Sequence, residues 1–186
     1  MTFAQQQHKT RPKIEDVIPT CVDVDKQQAV FDFVAHMRAN KMNPVWSGTF
    51  NTWKFNYKGK CICKISLPDN AKHAGPDCSW IVTPSHEYSN EYAETITSEG
   101  LQSIFWDNIF YCVLSGKSPC SDGNKKCFEG SRGCAGGRTK QLIGKEFTNI
   151  CLCCPIIEFR DPTPASVEII KRLLELEQAA RDAAKI

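Results

Sequence analysis

Apolar and polar positions follow two rhythms along this chain, and a third stretch has none. Over residues 25–40, Val30, Phe33, Val34 and Met37 recur at three- and four-residue spacing with Phe31 at the margin, which predicts an amphipathic helix. From Trp53 the period drops to two. Trp53, Phe55 and Tyr57, then Cys61, Cys63, Ile65 and Leu67, alternate with their neighbours and predict a β-hairpin around Lys58-Gly59-Lys60. A two-residue turn would set Trp53 opposite Lys64. A three-residue loop sets Tyr57 opposite Cys61, Phe55 opposite Cys63 and Trp53 opposite Ile65, and it gathers the apolar residues on one face, so it is preferred. Gly59 fits that choice poorly, because three-residue loops want glycine last.

Residues 78–83 read as a third strand that Pro84 ends. A helical pattern starts at Asn90, breaks near Gly100, and resumes over residues 101–114 with a broad apolar face and Cys112 in its last turn. Residues 147–154 read as a strand. Asp161-Pro162-Thr163-Pro164 opens a closing helix with Val167, Ile170, Leu173, Leu174 and Ala180 on one face. Residues 1–24 are polar, contain Pro12 and Pro19, and read as an extended arm. The expected fold is α+β: one domain over residues 25–186, an antiparallel sheet packed by about three helices. From 115 to 139 all periodicity is lost in a glycine-rich stretch too long for an ordinary connection.

Composition adds little to this picture, and cysteine adds much. A 41% apolar and 24% charged chain of 186 residues can bury a real core without disulfides. No membrane span is seen, and MTFAQQQHKTRPK has no apolar signal-type stretch, so a cytoplasmic address with reduced thiols is expected. Yet seven of the eleven cysteines fall between Cys112 and Cys154. Cys112, Cys120, Cys127 and Cys134 follow no strand or helix period and tie the loop of about residues 112–140 together. Four thiolates suffice for a structural Zn²⁺, and a metal would offset the entropy of ordering a segment with almost no apolar residues of its own. The expected ligands are Cys112, Cys120, Cys134 and Cys151, with Cys127 as the alternative. Within residues 112–140 there is no C-x-x-C pair, so thiol-based redox chemistry, as a sensor or oxidoreductase, stays open beside zinc. Cys61, Cys63, Cys153 and Cys154 fit strand periodicity and read as core.

The same loop is basic. Residues 117–145 hold seven Lys and Arg against Asp122 and Glu129. With one aromatic, Phe128, it lacks the stacking surface of single-strand binders, so nucleic acid is the less favoured partner; a small molecule or a protein stays open. No phosphate loop or nucleophile elbow is present, since Glu146 follows Gly144-Lys145 where Ser or Thr would be needed. The reading leans to a non-enzymatic binding or regulatory protein. Trp46, Trp53, Phe55, Tyr57 and Trp80 could line an aromatic ligand pocket, with Trp53, Tyr57 and Trp80 as the candidate set, while a plain core between sheet and helices is the preferred reading.

Four segments, Phe110-Tyr111-Cys112-Val113, Cys134-Ala135-Gly136-Gly137, Gly144-Lys145-Glu146-Phe147-Thr148-Asn149-Ile150-Cys151 and Ile170-Lys171-Arg172-Leu173-Leu174-Glu175-Leu176, together resemble a family of short bacterial proteins of unassigned function. The resemblance spans roughly residues 25–178. It implies a bacterial cytosolic protein and no activity. Ser115 stands where that family has a cysteine, and Cys120 and Cys127 lie in an expanded loop.

Overall fold

Strand register here follows from where the large apolar side chains can share one face. The computed structural model describes residues 3–48, 51–67, 78–109, 138–150 and 157–184; Cys112, Cys120, Cys127, Cys134, Cys151, Cys153 and Cys154 all lie outside them. The architecture is α+β, with six helices, a five-stranded antiparallel sheet and a separate two-stranded sheet among the described residues. The chain divides into two compact units, Met1–Ser85 with Phe159–Ala179, and His86–Glu158 with Ala180–Ile186.

The first unit holds β1 (Pro44–Trp46), β2 (Thr52–Tyr57), β3 (Lys60–Ser66), β4 (Ile81–Pro84) and β7 (Phe159–Arg160), hydrogen-bonded in the order β1-β2-β3-β4-β7. Its register lines up one row across all five strands: Trp46, Trp53, Ile65, Val82 and Phe159. A second row, two residues along, is Pro44, Phe55, Cys63 and Pro84. The alternate row runs Val45, Lys54, Lys64 and Thr83, so one face is apolar and the other largely polar, as an antiparallel sheet with one wet side requires. Helix α3 (Val24–Ala39) buries Val30, Phe33, Val34 and Met37, the four residues of the predicted stripe. Phe33 meets Phe55 edge to face at 6.2 Å, which places α3 on the apolar face.

The hairpin resolves its parity problem in a way that neither simple loop allows. Lys58 and Gly59 both have positive φ, 47° and 81°, the signature of a two-residue type I′ turn. The register then slips between Phe55 and Asn56: Phe55 faces Cys63, but Asn56 faces Cys61. Ile62 is the extra residue, a β-bulge, and Ile62 and Cys63 are buried in succession. The expected pairs Trp53–Ile65 and Phe55–Cys63 hold, whereas Tyr57 faces Lys60 rather than Cys61. The bulge also takes Cys61 out of step with Cys63, so Cys61 is half-buried and Cys63 buried.

Residues 1–24 are not an extended arm where they are described. They carry α1 (Phe3–Thr10) and α2 (Ile14–Cys21). Ile14, Val17 and Ile18 fall at i, i+3 and i+4 and are buried together, which outweighs the proline signal. Pro12 lies in the linker between the helices, and Pro19 sits so near the end of α2 that it removes a single helical bond. The closing helix α6 (Pro164–Ala183) starts as its proline predicts, with Thr163 Oγ1 accepting from Ser166 N at 3.2 Å as its cap. Within the first unit it is tied down by Ser85 Oγ donating to Glu177 Oε1 at 3.0 Å.

The second unit contains α4 (Ala93–Ser98), α5 (Gln102–Asp107) and the hairpin β5 (Arg138–Leu142) with β6 (Lys145–Ile150). Helix α4 ends in paired bonds from Gly100 N to Thr97 O and Leu101 N to Ile96 O, a Schellman stop at the predicted break. The helix expected over 101–114 stops at Asp107. Asn108 turns its amide back to Ile104 O at 2.8 Å, and Ile109 instead bridges antiparallel to Ile157. A run of large apolar residues suits a buried strand as well as a helix, and here the bridge wins. Strand β5 was hidden by its position at the end of the glycine-rich stretch. Ile143 and Gly144, with φ of 50° and 72°, make a second two-residue turn of the same kind. That turn is held by Asn90 Oδ1 accepting from Ile143 N at 3.1 Å, and Trp106 packs beside Phe147 at 6.3 Å.

Candidate functional site

The apolar row of the large sheet runs out at Trp46, because β1 is an edge strand. A cleft of about 520 Å³ opens there. Its floor is the contiguous run Pro44, Val45, Trp46, Ser47 and Gly48, backed by Trp53; its walls are His8, Arg11, Pro12, Lys13 and Ile14 from the end of α1 to the start of α2, and Arg38 from α3. Four of the lining side chains are basic or imidazole and none is acidic.

Four contacts fix this wall. Trp53, only 1% exposed, donates its Nε1 to Pro12 O at 3.0 Å, so a core indole holds the α1–α2 linker in place. Gln7 and Asn51 form a buried reciprocal pair: Asn51 N donates to Gln7 Oε1 at 2.9 Å, and Gln7 Nε2 donates to Asn51 Oδ1. Arg11 adopts φ 46°, which turns the chain sharply out of α1 while its N–H still bonds Gln7 O at 2.8 Å. The His8 ring stands edge-on to Trp46, 5.4 Å between centroids.

The cations differ in how they are engaged. Arg38 is committed: Nη2 lies 2.7 Å from Glu15 Oε1, and Nη1 donates to Asn43 Oδ1 at 3.0 Å. Arg11 and Lys13 have no ion-pair or side-chain hydrogen-bond partner among the described residues. Trp46 Nε1 is shielded from solvent and has no acceptor among the described residues, a state that costs about 1–3 kcal/mol.

Of the predicted aromatic trio, Trp53 lines the cleft and the others lie elsewhere. Tyr57 sits at the hairpin end under the Lys58 ammonium, 5.4 Å from the ring centre. Trp80 is fully buried and belongs to a different constellation, built on Asp161. Asp161 Oδ1 accepts from Ser79 N at 3.0 Å, Ser79 Oγ at 3.1 Å and Trp80 N at 3.0 Å, while Oδ2 accepts from Lys26 Nζ at 2.8 Å. Burial opposes ionisation of this carboxyl. The Lys26 ammonium and the Trp80 and Ser79 amides outweigh it and hold the carboxyl below its ordinary range. Lys26 is raised in turn by hydrogen bonds to Asp161 and then Asp23. A carboxylate held by four donors is a clamp between α3, the start of β4 and the end of β7.

Two of the described thiols are held protonated by their surroundings. Burial pushes Cys63 well up, and burial followed by the negative charge of Asp161 pushes Cys78 up, so both are protonated at neutral pH. Cys21 Sγ accepts from Asn51 Nδ2 at 3.3 Å. Among the described residues no group of three or more His, Cys, Asp or Glu side chains is placed to hold a metal, and the predicted zinc ligands are not among those residues. Among the described residues no helix is long and apolar enough to cross a membrane.

No family model matches the chain, and neither does any curated protein or solved structure. The functional reading therefore rests on the residues themselves. Sequence reasoning passed over the cleft because its cations sit in the run His8-Lys9-Thr10-Arg11-Pro12-Lys13, which looks like solvated chain. The missed signal was Ile14, Val17 and Ile18, whose helical spacing gives α2 a buried face and packs it beside α3, while the Trp53–Pro12 bond ties the run to the sheet.

Proposed function

We propose that the protein is a non-enzymatic binding or regulatory protein, and that the tryptophan-floored cleft beside β1 is its small-molecule site. The observation that carries this is the Trp53–Pro12 hydrogen bond. It fixes a cationic linker beside an apolar floor before any ligand arrives, and such preorganisation lowers the ordering cost of binding. The volume also falls in the range of small-molecule pockets, about 300–1,000 Å³. Incorporating 5-fluorotryptophan gives one ¹⁹F resonance for each of the four tryptophans. In a fragment screen, hits are expected to shift the Trp46 and Trp53 resonances and leave Trp80 and Trp106 in place. Hits that move only Trp80 or Trp106, or none that move Trp46, would end this reading.

Zinc belongs to the same proposal as a structural element. Cys112, Cys120, Cys134 and Cys151, with Cys127 as alternative, would supply four thiolates, a donor set that closes a tetrahedral site and leaves no position for catalysis. Protein purified without a metal-affinity tag is expected to carry about one zinc per chain and to lose it to chelator with rapid alkylation of those thiols. Native protein with less than about 0.2 zinc per chain and freely alkylated cysteines would point instead to the thiol-redox alternative.

A further inference from the structure

We infer that the cleft is selective for a small molecule bearing a phosphate or carboxylate group, gripped by Arg11 and Lys13, with a flat apolar body laid on Trp46. This rests on the cleft being the ligand site and adds the class of ligand. Charge points the same way throughout the lining: His8, Arg11, Lys13 and Arg38 surround it and no carboxylate does. Arg38 is already engaged with Glu15 and Asn43, whereas Arg11 and Lys13 lack any partner among the described residues. The two flank Pro12, whose carbonyl is bonded to the core indole, so their backbone positions are set. A guanidinium offers two parallel N–H donors to an oxyanion and an ammonium adds a point charge, a pairing suited to phosphate or carboxylate. Beneath them Pro44 and Trp46, on the apolar face of β1, present apolar surface. An inorganic ion alone would leave that floor uncovered; a planar ring carrying an anion would use both.

Titration calorimetry on the full chain with AMP, adenosine, citrate and inorganic pyrophosphate tests this. AMP is expected to bind at least about tenfold more tightly than adenosine, and to weaken as NaCl rises from about 50 to about 300 mM. The double variant Arg11→Gln/Lys13→Gln is expected to lose about tenfold or more in AMP affinity with an unchanged melting temperature. Citrate binding that the double variant abolishes, with AMP inert, would overturn the flat apolar body and leave only the oxyanion grip of Arg11 and Lys13. Equal AMP affinity for the two proteins overturns the inference. So does binding of a glutamate-rich peptide when no small anion binds. If neutral fragments shift Trp46 but no anion does, the ligand class falls and the cleft stands; if neither shifts it, both fall.

Discussion

Asp161→Ala is expected to cost roughly 4 kcal/mol of unfolding free energy. The side chain accepts from two backbone amides and a hydroxyl, and removing it leaves Ser79 N and Trp80 N without that acceptor. Each such loss costs about 1–3 kcal/mol where water cannot substitute. Asp161 also holds φ 42°, a left-handed conformation that Asp and Asn tolerate and alanine resists by about 1–2 kcal/mol. Asp161→Asn separates these terms. It keeps the turn and one acceptor oxygen and loses the Lys26 ion pair, so about 2 kcal/mol is expected. Lys26→Met removes only the partly exposed ammonium and is expected to cost about 1 kcal/mol. Urea denaturation followed by tryptophan fluorescence checks the order Ala, Asn, Met.

The pH dependence has a definite sign at both ends. The folded pKa of Asp161 is depressed, so its contribution is full above the ordinary carboxylate pKa and is lost as pH falls through the folded value. That of Lys26 is raised, so its contribution is full below the ordinary lysine pKa and is lost as pH rises through the folded value. The pair therefore contributes fully between about pH 5 and pH 9. In Asp161→Asn the gap from wild type is expected to shrink below about pH 4, as the wild-type carboxyl takes up its proton. A gap that stays constant down to pH 2 would mean the carboxylate charge contributes nothing.

Hydrophobic period carried most of the fold. The α3 stripe, the Trp53–Ile65 and Phe55–Cys63 pairs and the start of α6 were all legible, because each depends on where apolar side chains fall within a few residues. What escaped were places where a local rule met a second rule. Parity counting offered only two hairpin registers, because a bulge at Ile62 is invisible until the I′ preference of Lys58-Gly59 and the apolar pairing are required together. Prolines hid α2, although Ile14, Val17 and Ile18 already spelled one helical face. Asp161 read as the approach to a helix; its role as a clamp needs Ser79 and Lys26, 82 and 135 residues away in sequence. The cleft was half legible for the same reason: Trp53 was picked out as an aromatic, but the linker it holds is 41 residues distant.

That long-range link makes Trp53 the position where stability and binding are expected to part. Trp53→Ala empties a fully buried site in the apolar row, next to the edge strand, and should cost roughly 4 kcal/mol. Trp53→Phe keeps most of the burial and deletes the bond to Pro12 O, so about 1 kcal/mol is expected from the hydrogen bond. Its effect on the cleft should be out of proportion to that figure. With Pro12 released, Arg11 and Lys13 must be ordered by the ligand itself, and affinity falls by whatever that ordering costs. Hydrogen exchange over residues 8–13 is expected to quicken in Trp53→Phe while exchange in β3 and β4 stays slow. Unchanged exchange in the linker would mean that the Gln7–Asn51 pair holds it alone. In that case Asn51→Ala, which removes the reciprocal amide partner of Gln7, becomes the substitution that opens the cleft.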